Sequence, residues 1–165
     1  MLFGMGMTLT PEEDAELAPI IRPCYSALAL ANDYFSFDRE WEKFQSQPQP
    51  QAQAQTSGPP VTNAVWLFTQ WHGVSIDRAK YLVRRAANRY EDRFLRMCAL
   101  FRGPQSRWHC SEKLDKYLRG LTYQIAGNVV WSLNCPRYHP EMRYDPNAGL
   151  EDELTVKARR GGWKL

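Results

Sequence analysis

The sequence predicts an all-α fold. Three observations carry that prediction: apolar residues recur at steps of three and four over long stretches, capping residues stand at the head of those stretches, and period-2 alternation is nowhere sustained. The 165 residues suffice for one domain with its own core, and 44% hydrophobic against 24% charged residues is a globular balance. With 21 basic and 18 acidic side chains the net charge is +3, too weak a field to point to nucleic acid.

The first helix opens at Thr10-Pro11-Glu12-Glu13, where a capping Thr, Pro at the first helical position and Glu three residues after the cap form a strong start. The helical pattern runs to about Phe44, with a kink or break expected at Pro19 and Pro23, each of which lacks an amide donor. The stretch 45–62, with SQPQPQAQAQTSGPP at its centre, carries no charge and no large apolar residue before its last positions; it reads as a surface loop within one domain. Asn63 to Trp71 reads as a short apolar helix. Ser75 then caps a longer one whose stripe is Ile76, Ala79, Val83, Ala86, Tyr90, Phe94, Met97 and Phe101, a pattern expected of core packing. Gly103-Pro104 stops it, Ser111 and Glu112 start the last helix, and Asn134-Cys135-Pro136 ends that one. Its inner face carries Leu114, Leu118, Leu121, Ile125, Val129 and Leu133. Residues 141–165, rich in Pro, Gly and charge, read as an irregular tail.

No apolar run is long enough to span a bilayer, and the N-terminus lacks the pattern of a secretory signal, so the cytoplasm is the expected compartment. Cys24, Cys98, Cys110 and Cys135 show no CxxC pairing and are expected to be buried free thiols. His72, His109 and His139 lack metal-ligand spacing.

One spacing points to chemistry. Asn32, Ser36 and Glu40 are separated by four and four on a helix, which brings all three side chains along one face. An amide oxygen, a hydroxyl and a carboxylate are hard donors, suited to Mg²⁺ and unsuited to zinc. Side chains on a helix lean toward its N-terminus, so the long Glu40 can reach back over the short Ser36. Three protein ligands leave positions on an octahedral ion for water and phosphate oxygens, and Arg39 alongside offers a cation to the same anion.

The run NDYFSFDRE resembles the second metal-binding motif of class I terpene cyclases. The surrounding segments FGMG, LAPIIRPCYSALALANDYFSFDREWEKF, NAVWLFTQWHGVSIDRAK and NVVWSLNCPRYHP are similar to the cyclase domain of fungal chimeric di- and sesterterpene synthases of the fusicoccadiene and ophiobolin synthase kind. The resemblance covers residues 1 to about 140, interrupted by the Gln-rich loop. It implies a partial class I terpenoid synthase bundle that lacks the N-terminal helices, with residues 1–140 as the C-terminal part of the cyclase domain. It further implies that Asn32, Ser36 and Glu40 chelate one Mg²⁺, that Arg39 contacts diphosphate, and that Arg137 and Tyr138 hydrogen-bond the diphosphate as the site closes. Asn128 and Trp131 are the cavity candidates that follow from it; Trp66, Phe68, Trp71, Tyr90, Phe94 and Tyr123 are expected mostly in helix core.

The activity implied is Mg²⁺-dependent ionisation and cyclisation of a linear prenyl diphosphate, geranylgeranyl or geranylfarnesyl diphosphate. The aspartate-rich motif that such enzymes carry on a facing helix has no counterpart here: Glu12-Glu13-x-x-Glu16 is better explained by helix capping. No single residue is singled out as catalytic, and the chain alone is expected to be inactive. The alternative is a non-catalytic helical module or pseudoenzyme that keeps one metal- and diphosphate-binding wall. The expected partners are a prenyl diphosphate as substrate and the missing half of the cyclase domain or another polypeptide.

Overall fold

The computed structural model describes residues 3–46, 61–104 and 110–142. Most of the low-complexity loop, His109 and almost all of the irregular tail lie outside the described residues. In chain order come a 3-10 turn at Phe3–Met5, α1 (Pro11–Gln45), α2 (Ala64–His72), α3 (Ile76–Arg102), α4 (Glu112–Asn134) and a 3-10 turn at Pro140–Met142. Among the described residues there is no strand, and the fold is all-α.

The caps form where their residues were placed. Thr10 Oγ1 accepts from the Glu13 amide at 3.2 Å and Glu13 Oε2 accepts from the Thr10 amide at 2.8 Å, a complete capping box. Ser75 and Ser111 cap α3 and α4 by accepting from the amides of Arg78 and Leu114, each at 3.3 Å. α2 ends on Gly73 in the left-handed region (φ 60°), which a side chain would strain. Pro104 holds Gly103 extended (ψ 156°) and so ends α3.

Of the kink or break expected at Pro19 and Pro23, the break does not occur. α1 runs unbroken for 35 residues through both prolines. An interior proline costs a helix about 3 kcal/mol. Here the same turns bury Leu17, Ile20, Ile21, Pro23 and Cys24, and burial of several large aliphatic side chains at about 1.5–3 kcal/mol each outweighs that penalty.

Two apolar clusters divide the packing. The first joins the N-terminal half of α1 (Leu17, Ile20, Cys24) to the C-terminal half of α3 (Phe94, Cys98, Phe101) and to α4 (Leu114, Tyr117, Leu118, Leu121, Ile125). The second joins Phe37 of α1 to Ala64 and Val65 of α2 and to Ala79 and Val83 of α3. α3 therefore runs antiparallel to α1. Two links between α1 and α4 advance in the same direction along both helices: Glu13 with Lys113 at 2.5 Å, then the Tyr25 and Tyr117 hydroxyls at 3.2 Å. α4 accordingly runs alongside α1 in the same sense.

Within this core Cys24, Cys98 and Cys135 are buried free thiols and Cys110 is partly exposed. Burial pushes the Cys24 thiol up to about 12 and the Cys98 thiol up to about 11, so both stay protonated and inert at neutral pH. The aromatics divide: Phe94 is buried and Trp66 and Phe68 are partly so, whereas Trp71, Tyr90, Tyr123 and Trp131 are exposed. The core expectation therefore fails for Trp71, Tyr90 and Tyr123, which stand on solvent-facing sides of α2, α3 and α4. Among the described residues no helix is long and apolar enough to cross a membrane.

Charge pairs tie the helix ends together. Asp115 accepts from Arg102 and Arg119, and the Arg102 bond is the main reason its carboxyl lies below the ordinary 3.8. The Lys113 bond does the same for Glu13 against its ordinary 4.5. Both folded values are depressed, so the stability these groups contribute is present above their unfolded values and is lost as pH falls through the folded ones. The urea midpoint is expected to fall on acidification through this range, and to fall less in Asp115→Asn; equal acid sensitivity of the two proteins would refute the linkage.

Candidate functional site

The C-terminal half of α1 presents the polar residues of the site. Ser36 is buried, with 4% of its surface exposed, and Glu40 is half-buried on the next turn. Both meet a residue that the sequence did not single out. Asn63, 1% exposed, directs its Nδ2 to Glu40 Oε2 at 3.0 Å, to the Asp33 carbonyl at 3.0 Å and to Ser36 Oγ at 3.4 Å. Its Oδ1 accepts from the Val65 amide at 2.9 Å and so caps α2. Asp33 completes the junction, its Oδ2 accepting from the Ala64 amide at 2.7 Å. Burial raises the Asp33 carboxyl above its ordinary value, against the opposing effect of that amide bond, and the nearby Glu40 carboxylate adds to the rise.

Asn32, one turn before Ser36, turns elsewhere. Its Nδ2 donates to the Tyr138 hydroxyl at 3.2 Å, across 106 positions of sequence. This leaves the carbonyl oxygen of Asn32 as the end of that side chain able to face a cation. Tyr138 also meets Trp131 edge-on, with ring centroids 5.7 Å apart, and the Arg137 guanidinium lies 5.9 Å from the Tyr138 ring centre. Arg39 and Arg137 are both exposed.

Beside this polar cluster lies an open groove of about 510 Å³, lined by Leu28 of α1 and by Gln124, Gly127, Asn128 and Trp131 of α4. The two cavity candidates, Asn128 and Trp131, are thus placed beside Leu28, Gln124 and Gly127. Gln124 Oε1 and Asn128 Nδ2 are buried without a hydrogen-bond partner among the described residues. Leu28 stands one turn before Asn32, so the apolar lining of the groove adjoins the first of the three oxygen donors on α1, and each further step of four turns about 40° round the helix.

The donor set fits a hard divalent cation. The three sequence-selected side chains offer an amide oxygen, a hydroxyl and a carboxylate, the chemistry that Mg²⁺ takes. Among the described residues no group of three or more His, Cys, Asp or Glu side chains is placed to hold a metal ion. Nothing local in the sequence marks Asn63 as a neighbour of Ser36 and Glu40: an Asn ahead of an apolar run signals a cap, but Glu40 is 23 positions away across the low-complexity loop.

A family model described as terpene synthase family 2, C-terminal metal binding, matches residues 1–93. The chain belongs to that family. As a terpene synthase family member it carries Asn32, Asp33, Ser36, Glu40 and Asn63 inside the matched span, with Arg137 and Tyr138 beyond it. It is 44% identical over 159 residues to terpene cyclase ATR13 of Stachybotrys chlorohalonatus, which covers 96% of this chain and 39% of the relative. It is 48% identical over 164 residues to a variediene synthase of Emericella variicolor, covering 99% of this chain and 22% of that protein. It is also 31% identical to fusicoccadiene synthase of Phomopsis amygdali over 144 residues, 87% of this chain and 18% of the relative. The chain thus spans about two fifths of the length of the first relative and about a fifth of the other two.

Proposed function

We propose that this terpene synthase chain, over residues 1–140, forms one wall of a class I cyclase site that ionises a linear prenyl diphosphate. Asn32 Oδ1, Ser36 Oγ and Glu40 would hold one Mg²⁺, which supplies positive charge against the departing diphosphate. Arg39 and Arg137 offer cations, and the Tyr138 hydroxyl a hydrogen bond, to the same anion. The groove between Leu28 and Trp131 receives the apolar chain. The face of Trp131 suits the positive charge left on an allylic carbon. The hydrogen bond from Asn32 to Tyr138 is the observation that carries this reading, because it joins the metal motif to the Arg-Tyr pair. Geranylgeranyl and geranylfarnesyl diphosphate are the substrates proposed, by likeness to the di- and sesterterpene synthases.

Aspartate-rich ligands are not among these residues, so the wall needs a facing one. The exposed apolar side chains Tyr123, Val130 and Trp131 of α4 support the same conclusion, since they offer a surface for the remainder of a cyclase domain. They equally favour the second reading, a non-catalytic helical module that packs against another polypeptide.

Calorimetric titration of Mg²⁺ in the presence of inorganic pyrophosphate separates the two. The chain is expected to bind the pair, and Glu40→Ala to weaken binding at least tenfold; absence of metal-dependent binding in both proteins would leave the module. The purified chain alone is expected to turn over neither prenyl diphosphate, and robust Mg²⁺-dependent turnover would overturn that expectation.

A further inference from the structure

Asn63 has more hydrogen-bonding capacity in place than a helix cap uses. Capping α2 requires only its Oδ1, which accepts from the Val65 amide. Its amide end is as deeply buried, and a buried NH₂ must find partners. It finds them on the polar face of α1: the Asp33 carbonyl and Glu40 Oε2 at 3.0 Å take the two hydrogens, and Ser36 Oγ at 3.4 Å lies as a weaker third acceptor. A glutamate side chain loses much rotamer freedom when it is fixed. Asn63 fixes this one through a single oxygen, leaving Oε1 unclaimed by that bond.

We propose that Asn63 is a positioning residue for the metal wall: its amide holds Glu40 and Ser36 from behind in the arrangement that grips a divalent cation. The inference rests on the proposed Mg²⁺ site and goes beyond it, since Asn63 is not one of its ligands: it turns its NH₂ end, and not its oxygen, toward Ser36 and Glu40. Partners of this kind, which orient a ligating carboxylate, change metal affinity by about 10–100-fold when removed.

Asn63→Ser separates positioning from capping. Serine caps a helix about as well as asparagine but is too short to reach Glu40. In the full chain the variant is expected to bind Mg²⁺ with pyrophosphate about tenfold more weakly than wild type, while its metal-free thermal midpoint stays closer to wild type than that of Asn63→Ala. If wild type binds the pair, Glu40→Ala loses it and Asn63→Ser binds as wild type does, the positioning role is overturned and the metal site stands. If wild type itself shows no metal-dependent binding, both fall. A second measurement needs no variant at position 63: the side-chain NH₂ resonances of Asn63 in ¹⁵N-labelled wild type are expected to shift when Mg²⁺ and pyrophosphate are added together. Resonances that stay in place while the pair binds would overturn the proposal.

Discussion

Phe94→Ala is expected to lower the unfolding free energy by about 3–5 kcal/mol, as large aromatic truncations in packed cores do. Phe94 is fully buried where α3 meets the N-terminal half of α1 and α4, so the cavity left behind has walls on three helices and little freedom to collapse. A domain of this size has about 5–15 kcal/mol in all, and the loss is therefore about a fifth of it or more. The adjacent Leu95 provides the control. It is 41% exposed, and its truncation is expected to cost much less than that of Phe94. Urea midpoints of the two variants decide the matter; equal losses would mean that the first cluster is not packed as described.

Phe37→Ala is expected to cost a similar 3–5 kcal/mol but with a different signature. Phe37 is fully buried in the second cluster and stacks on Trp41, with centroids 5.9 Å apart, and Trp41 in turn stacks on Trp66 of α2 at 5.0 Å. Lys80 of α3 pairs with Asp38 at 2.6 Å and sets its ammonium 5.7 Å from the Phe37 ring. Removing the ring loosens α2 from α1 and with it the junction that Asn63 and Asp33 make. Amides of α2 are therefore expected to exchange faster with deuterium than those of α4, and affinity for Mg²⁺ with pyrophosphate to drop more than tenfold. Uniform acceleration across all four helices would instead mean that the two clusters unfold as one unit.

What the sequence could reveal about this chain was local. Thr10, Ser75 and Ser111 announce helix starts because a cap is made with residues two or three positions away. The shared face of Asn32, Ser36 and Glu40 follows from helical period alone. Their partners do not. Asn32 meets Tyr138 and Glu40 meets Asn63 through folding that brings distant segments together, and no spacing rule reaches across 106 or 23 positions. The prolines of α1 show the opposite failure. Their local rule is sound, yet it cannot weigh the core that the same turns enter. Exposure of Trp71 and Tyr123 was illegible for a related reason, since an aromatic on a helix does not tell which of its faces will find a neighbour.

The segment from Leu28 to Glu40 ties an oily surface and a set of oxygens to one fixed helical register. Its length is about 18 Å, twelve residues at 1.5 Å each. A single residue inserted between Leu28 and Asn32 would rotate every oxygen donor by about 100° relative to the wall that Leu28 shares with α4. The spacing of that segment is therefore as much a constraint on the chain as the identity of the three donors.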